Sequence, residues 1–303
     1  MKRILITGSE GFIGRALCRR LQANLEQYSL FTLDRIGIGT NHSVVDITSK
    51  DLESAIKRVD PDILIHLAGN VSVKYSVENP FTDFQVNALG TLAVITSSLK
   101  TRCSNFIYLT SGGAIYDPLA SLPVNENSPL GPTSPYGLSK LIGEQYLKML
   151  VTGKMNWTSL ALSNCYGPVM EQKQGFIYSM WCDLSKGVRP SIYGTNVSRD
   201  FVYIDDVLDA ILLACEKPLN GRINVSSGTS TRLTKVLESM QKILGTNLSP
   251  WILPNSPGDV LVSCLDNSYI KEFLGWEPKV NLDQGLFMSL AHIELDEKLR
   301  REP

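Results

Sequence analysis

Short apolar runs and longer stretches with apolar residues three or four apart alternate through the first half of the chain. The runs at Ile4–Ile6, Ser29–Leu33, Asp62–Leu67, Asn105–Thr110 and Thr158–Leu162 have strand length and composition,. Between them, Leu17, Leu21 and Leu25, the segment NALGTLAVITSSLK from Asn87 and the segment after Ser134 show the spacing of amphipathic helices,. Ser134 is placed to cap the last of these, with Pro135 in its first turn. Strands alternating with helices predict βαβ units, and so an α/β fold with a doubly wound, Rossmann-like parallel sheet covered on both faces.

After Gly167-Pro168 the alternation lapses and Pro and Gly punctuate the chain more often. The helical stretches Leu208–Cys215 and Leu233–Leu244 no longer follow strands in sequence order. This predicts a dinucleotide-binding domain over 1–167 and a smaller, mainly substrate-binding lobe over 168–303. Segments after about residue 200 are expected to pack back on the first domain. No internal repeat or low-complexity segment interrupts the pattern.

The first strand runs directly into TGSEGFIG, residues 7–14. Gly8, Gly11 and Gly14 allow a tight turn and let a pyrophosphate approach the positive end of the following helix. The second strand ends in Leu33-Asp34, about twenty residues on, where a carboxylate can accept hydrogen bonds from ribose hydroxyls. Asp46-Ile47 ends the next short strand, within reach of an adenine. A carboxylate at Asp34 repels a 2′-phosphate, so NAD is favoured over NADP, although Arg35 beside it softens the discrimination and NADP stays possible. Tyr136 and Lys140, four apart, share one helix face. Their proximity predicts a phenol whose pKa the ammonium lowers from about 10, a tuned acid/base beside a bound nicotinamide. Thr110 and Ser111 supply hydroxyls at the end of an upstream strand.

Composition narrows the partners. The 303 residues are 43% hydrophobic with a formal charge of −1 and no Lys/Arg block, which argues against a nucleic-acid or anionic-membrane surface. The cysteines at 18, 103, 165, 182, 215 and 264 form no CxxC pair, and His42, His66 and His292 are isolated, so reduced thiols and no metal site are expected. His66, in the strand end HLAG, reads as structural. Trp157, Trp181, Trp251 and Trp276 read as packing residues, and the tail ELDEKLRREP as a solvated helix end. The first apolar stretch is too short for a leader or a membrane span, which makes a cytoplasmic protein the expectation.

TGSEGFIG, Asp34, HLAGN (66–70), LTSGGAIY (109–116), YGLSK (136–140), NCYGP (164–168), RDFVYIDDV (199–207), NVSSG (224–228), PGDV (257–260) and LGWEP (274–278) stand in order along almost the whole chain. Together they resemble the extended short-chain dehydrogenase/reductase superfamily, in its nucleotide-sugar epimerase, dehydratase and keto-reductase branch. The resemblance implies that Gly8, Gly11 and Gly14, with Phe12 and Ile13 between them, line the pyrophosphate of NAD. It places Asp34 and Arg35 at the ribose, Asp46 and Ile47 at the adenine, and Leu67, Ala68 and Gly69 under the cofactor. Tyr136 would be the acid/base and Lys140 its cationic helper. Asn164 would contact a nucleotide-diphosphate sugar and Arg199 its diphosphate, as a guanidinium recognises phosphate. A homodimer through the helices after Asn87 and Ser134 is also implied.

Two departures stand out. The usual catalytic Ser/Thr position, counted back from Tyr116, holds Gly112, so the hydroxyl comes from Ser111 through a shifted strand end or is missing. Ser256 stands where 4-epimerases commonly place a second diphosphate-binding Arg. The implied activity is oxidoreduction at C4 of a nucleotide sugar: 4-epimerisation if NAD stays bound, 4-keto-6-deoxy-sugar reduction if NAD(P)H enters at each turn. A 4,6-dehydratase is disfavoured because LTSGGAIY lacks the Asp-Glu pair those enzymes carry. The competing class is a non-catalytic dinucleotide sensor, which commonly loses the Tyr/Lys pair.

Overall fold

A computed structural model describes residues 1–23, 28–168, 175–255, 258 and 260–290. In chain order the first part runs β1 (Lys2–Thr7), α1 (Phe12–Gln22), β2 (Tyr28–Asp34), β3 (His42–Val44), α2 (Leu52–Val59), β4 (Ile63–His66), α3 (Val73–Glu78) and α4 (Pro80–Asp83). A π-helical stretch, Phe84–Gly90, joins α4 to α5 (Thr91–Ser98), followed by β5 (Asn105–Ser111), α6 (Gly112–Ile115), α7 (Pro135–Val151) and β6 (Asn156–Leu162). The remainder comprises β7 (Asn164–Tyr166), α8 (Phe176–Ser185), β8 (Ser191–Tyr193), β9 (Ser198–Tyr203), α9 (Ile204–Glu216), β10 (Gly221–Val225), β11 (Ser230–Arg232), α10 (Leu233–Leu244), β12 (Trp251–Leu253) and α11 (Ser268–Leu274).

Seven strands form one sheet in the order β10-β6-β5-β4-β1-β2-β3, and every pairing in it is parallel. The five expected strands are all in it. The two-residue pleat sends alternate side chains to opposite faces. Ile4, Ile6, Ile65, Ile107 and Leu160 pack with α1 and α9 residues on one side. Leu5, Leu64, Phe106 and Tyr108 pack with α2, α5 and α7 residues on the other. Strand order reverses between β1 and β4, so the loops after them diverge and open a crevice at the carboxyl ends of the strands, where such sheets bind ligands.

The chain leaves the large sheet at Leu162, before the expected break at 168. β7 already belongs to a second sheet, ordered β11-β9-β7, while β12 and β8 form a third. Contrary to the sequence expectation, both late helices do follow strands directly: β9 runs into α9 and β11 into α10. Both strands sit in the small sheet and β11 has only three residues, which hid the pattern. β10 returns to pair with β6. Two buried aspartates tie segments of the remainder to one another. Asp200 accepts from Ser227 N and Leu265 N at 2.9 and 3.2 Å. Asp206 accepts from Lys279 N and Val280 N at 3.0 and 3.2 Å.

Ser134 caps α7 by accepting from Gly137 N at 3.1 Å, with Pro135 in the first turn, as the sequence predicts. His66 is buried between the hydroxyls of Thr7 and Thr91 at 2.7 and 3.0 Å, and burial pushes its pKa down to about 3, which fits the structural reading. Cys103 and Cys215 are buried, and all six cysteines are free thiols. Among the described residues no helix is long and apolar enough to cross a membrane. The tail 294–303, His292, Ser256, Pro257 and Asp259 lie outside the described residues.

Glu144, two turns beyond Tyr136 on α7, is paired with Arg222 on β10; their side chains are 4% and 10% exposed. Ser159 donates to the same carboxylate at 2.7 Å. Removing one partner strands a buried charge, whereas replacing both with neutral groups does not. Arg222→Met is therefore expected to cost about 3–5 kcal/mol in urea unfolding, and Arg222→Met/Glu144→Gln to recover most of it. A loss below about 1 kcal/mol for the single variant, the value of an exposed pair, would show that the pair does not tie α7 to the sheet.

Candidate active site

The loop after β1 is built around a backbone conformation that side chains resist. Gly8 has φ +76°, and a Cβ there would lie 2.5 Å from Ala68 N, so the loops after β1 and β4 touch backbone to backbone. Gly8 N donates to Leu33 O and Leu67 N to Thr7 O at 2.8 and 3.0 Å. Gly11 caps α1 with no side chain across the helix end and no acidic residue in the first turn. A Cβ there would meet only Gly8 O, at 3.3 Å. The free N–H groups of Phe12 and Ile13 thus face an open cradle at the positive helix end. Ser9 Oγ is buried beside it without a hydrogen-bond partner. These features fit a dinucleotide diphosphate.

Asp34 ends β2, as expected, and its carboxylate accepts from Glu10 N at 2.9 Å and Arg35 N at 2.7 Å. It therefore fixes the glycine loop as well as the strand end, while Arg35 is exposed beside it. Asp46 and Ile47 do not end the third strand; β3 stops at Val44. Asp46 captures Thr48 N at 2.8 Å in an Asx turn, which breaks the extended chain,. Ile47 is buried against Gly90. Gly69 and Asn70 follow β4 and are held by Asn87, which accepts from Asn70 N at 2.8 Å and donates to Asn70 O at 3.1 Å.

Tyr136 and Lys140 lie on the buried face of α7. Tyr136 N donates to Ser76 Oγ at 3.1 Å, which anchors the first turn. Lys140 Nζ donates to Leu109 O at 2.9 Å and lies 4.9 Å from the Tyr108 ring centre. The expected lowering of the phenol is not seen. Burial pushes the Tyr136 phenol up to about 12, the neighbouring Ser111 hydroxyl pulls it down, and the nearby Asp83 adds to the rise. Lys140 spends its ammonium on the Leu109 carbonyl, and burial takes its own pKa down to about 8.

Ser111, the last residue of β5, therefore lies beside the Tyr136 phenol. A Cβ at Gly112 would lie 2.4 Å from Leu265 Cδ1 and 3.2 Å from Ala161 O, so any side chain there would collide with the packed lobe. Thr110 Oγ1 is buried with no hydrogen-bond partner. Asn164 on β7 faces the same loop, its Oδ1 lying 3.9 Å from where a Cβ of Gly113 would be. Arg199 on β9 donates to Ser198 O and Leu261 O at 3.0 and 3.2 Å. It borders a segment whose continuation, Val262 to Leu265, lines a cleft with Gly112, Gly113 and Tyr116.

Sequence reasoning missed Asp83, Asn87 and Ser76. Asp83 and Asn87 share a buried hydrogen bond of 2.8 Å within the α4–π-helical stretch. Their four-residue spacing, which puts both on one helix face, was the available signal.

The glycine cradle, the strand-end aspartate and the Tyr–Lys–Ser cluster converge on one crevice, and comparison with known proteins agrees with that geometry. Residues 4–226 match the model of the NAD dependent epimerase/dehydratase family. A UDP-glucose 4-epimerase of Mycolicibacterium smegmatis is 31% identical over 302 residues, covering 94% of this chain and 96% of the relative. The structure of a Thermotoga maritima UDP-glucose 4-epimerase with UDP-glucose superposes with a TM-score of 0.92 at 31% identity, covering 97% of this chain and 99% of that one. A Thermus thermophilus UDP-glucose 4-epimerase in complex with NAD gives 0.87 at 30% identity, covering 96% and 99%. With the family match extending from β1 through β10 and the same crevice at its centre, this chain belongs to the NAD dependent epimerase/dehydratase family, within the extended short-chain dehydrogenases/reductases.

Proposed function

We propose that the protein is an NAD-dependent nucleotide-sugar 4-epimerase acting on a UDP-sugar. The observation that carries this reading is the placement of Tyr136 and Lys140 one turn apart on the buried face of α7, with Ser111 at the end of β5 beside the phenol and the glycine cradle across the crevice. Gly8, Gly11, Phe12, Ile13 and Gly14 would hold the diphosphate of NAD, Asp34 and Arg35 its ribose, and Asp46 and Ile47 its adenine. Leu67, Ala68 and Gly69 would lie beneath it, and Asn164 and Arg199 would hold the substrate. The division of labour is a cofactor part over 1–167, completed by α9 and β10, and a substrate lobe formed mainly by the rest. Bound NAD would accept hydrogen from C4 and return it.

Tyr136 takes the proton of the C4 hydroxyl as the carbon is oxidised and gives it back on reduction. The Ser111 hydroxyl and the Lys140 ammonium stabilise the phenolate that this requires. Gly112 leaves room for Leu265, so the lobe packs against the loop that presents Ser111. A second reading, reduction of a nucleotide-4-keto-6-deoxy sugar, has one observation in its favour: burial keeps the phenol protonated, the form from which a reduction draws its proton. The free, singly spaced cysteines suit the reducing cytoplasm, to which we assign the enzyme,.

Incubation with UDP-glucose, UDP-GlcNAc and dTDP- or GDP-4-keto-6-deoxy sugars, with and without NAD(P)H, decides between them. The 4-epimer of a UDP-sugar is expected without added reductant. Turnover only of a keto sugar with NAD(P)H would make the protein a reductase, and no turnover by NAD-bound protein would make it a sensor. Tyr136→Phe is expected to lower turnover by about two to four orders of magnitude. Ser111→Ala should cost about ten- to a thousandfold with little change in NAD affinity, and Thr110→Val less. Equal, small effects of the last two would remove Ser111 from the chemistry.

Asp34 directs the cofactor preference. A 2′-phosphate would meet a carboxylate already committed to Glu10 N, so NAD(H) should bind more tightly than NADP(H) in titrations of cofactor-free protein. The reverse order would mean that Arg35 governs the site.

The helices from Pro80 to Ser98 and α7 leave Phe81, Leu89, Leu138 and Met149 exposed, Phe81 and Met149 by 73% and 74%. Apolar side chains on a face that the sheet does not cover support a homodimer through these helices. Light scattering at micromolar concentration should give twice the chain mass; a monomer mass would overturn the assignment.

A further inference from the structure

Asp83 is fully buried at the end of α4. One of its carboxylate oxygens accepts from Asn87 Nδ2 at 2.8 Å, and the other has no hydrogen-bond partner. The Ser139 hydroxyl, on the same helix as Tyr136 and Lys140, also lies against it. A buried carboxylate oxygen left without a donor is costly, and packing alone gives no reason for an acid at this position. It sits in the electrostatic reach of Tyr136 and Lys140 without forming an ion pair with either. The other polar groups facing Lys140 are Tyr136 from its own helix, the Tyr108 ring from β5 and His66 from β4, and Glu144 further along α7 is neutralised by Arg222. Burial leaves His66 uncharged, so Asp83 is the negative charge that opposes the desolvation of Lys140.

We propose that Asp83 is a positioning residue of the Tyr136/Lys140 pair, presenting one buried negative charge to the Lys140 ammonium and, through Asn87, locking the Gly69–Asn70 turn beneath the cofactor. The proposal rests on the assignment of Tyr136 and Lys140 made above. Both effects act from one side chain: Asn87 bridges Asp83 to both polar groups of the Asn70 backbone. The charge favours the ammonium over the amine at Lys140 and disfavours the phenolate at Tyr136. It therefore keeps both protons on the pair until substrate and cofactor change the balance. With Lys140 brought down to about 8 by burial, loss of the charge would leave the amine neutral through much of the neutral pH range.

The test is the titration of Lys140 in cofactor-free protein carrying 13Cε-lysine, the resonance being assigned by its loss in Lys140→Met. The wild-type midpoint is expected near 8. In Asp83→Asn it should fall by about half a unit to one unit, as expected on losing a nearby opposite charge, and Asp83→Glu should restore part of the shift. An unchanged midpoint in Asp83→Asn with a native circular dichroism spectrum would overturn the proposal. Should Asp83→Asn fail to fold, the reciprocal measurement decides: in protein carrying 13Cγ-aspartate, Lys140→Met should raise the Asp83 midpoint, and no change would overturn the proposal. With a UDP-sugar that turns over, the alkaline fall in kcat should move down in parallel in Asp83→Asn. If no UDP-sugar turns over, the epimerase reading fails, and the lysine titration still decides the role of Asp83.

Discussion

Everything at the site depends on the backbone contact between Gly8 and Ala68. Two parallel strands at the point where strand order reverses send their chains to opposite faces, and the crevice between them is only as narrow as the first residues after each strand allow. A Cβ at Gly8 would stand 2.5 Å from Ala68 N, and no rotamer of any side chain relieves a clash at Cβ. With hydrogen at that position, the loop can turn at once into α1 and aim its free N–H groups across the crevice. Asp34 then fixes the loop from the next strand by accepting from Glu10 N. The cradle is thus rigid without any side chain occupying it, which is what a backbone-lined anion site requires.

The other constraint is that the polar groups of the site are buried, and each needs a support of its own. Lys140 leans on the Leu109 carbonyl, Tyr136 on Ser111 and, through its N–H, on Ser76. The same economy holds the lobe: Asp200 and Asp206 spend their carboxylates on backbone N–H groups of segments far away in the sequence. In the stretch RDFVYIDDV, then, two of the acids are structural ties. Leu265, whose N–H is bound by Asp200, is also the residue that fills the space at Gly112. Lobe docking and the placement of the Ser111 loop are consequently one packing problem.

What could be read from the sequence was what is local. The strands, the glycine turn, the Ser134 cap and the shared face of Tyr136 and Lys140 are set by neighbours within a few residues, and a period or a spacing reveals them. The misplaced end of β3 is a local failure, since the Asx turn at Asp46 competes with the strand over three residues. Other misses are long-range. Gly112 looked like a lost hydroxyl because counting along the chain does not show that Leu265 occupies its side-chain space. β10 pairs with β6 across some sixty intervening residues, as Arg222 opposite Ser159 shows, and no pattern within β10 announces it.

The sign of the phenol shift follows from the same distinction. A helix face shared by a phenol and an ammonium suggests attraction between charge and phenolate, and hence a lower pKa. Burial acts on both groups and penalises each charged form, so in the protein alone it drives the tyrosine up and the lysine down. Attraction operates only when the lysine is charged and the phenol ionised, a state that burial disfavours. A negative charge at Asp83 deepens that bias for the tyrosine and relieves it for the lysine. In the protein alone the phenol is therefore held protonated, and the energy to ionise it must come from groups that the cofactor and the substrate bring.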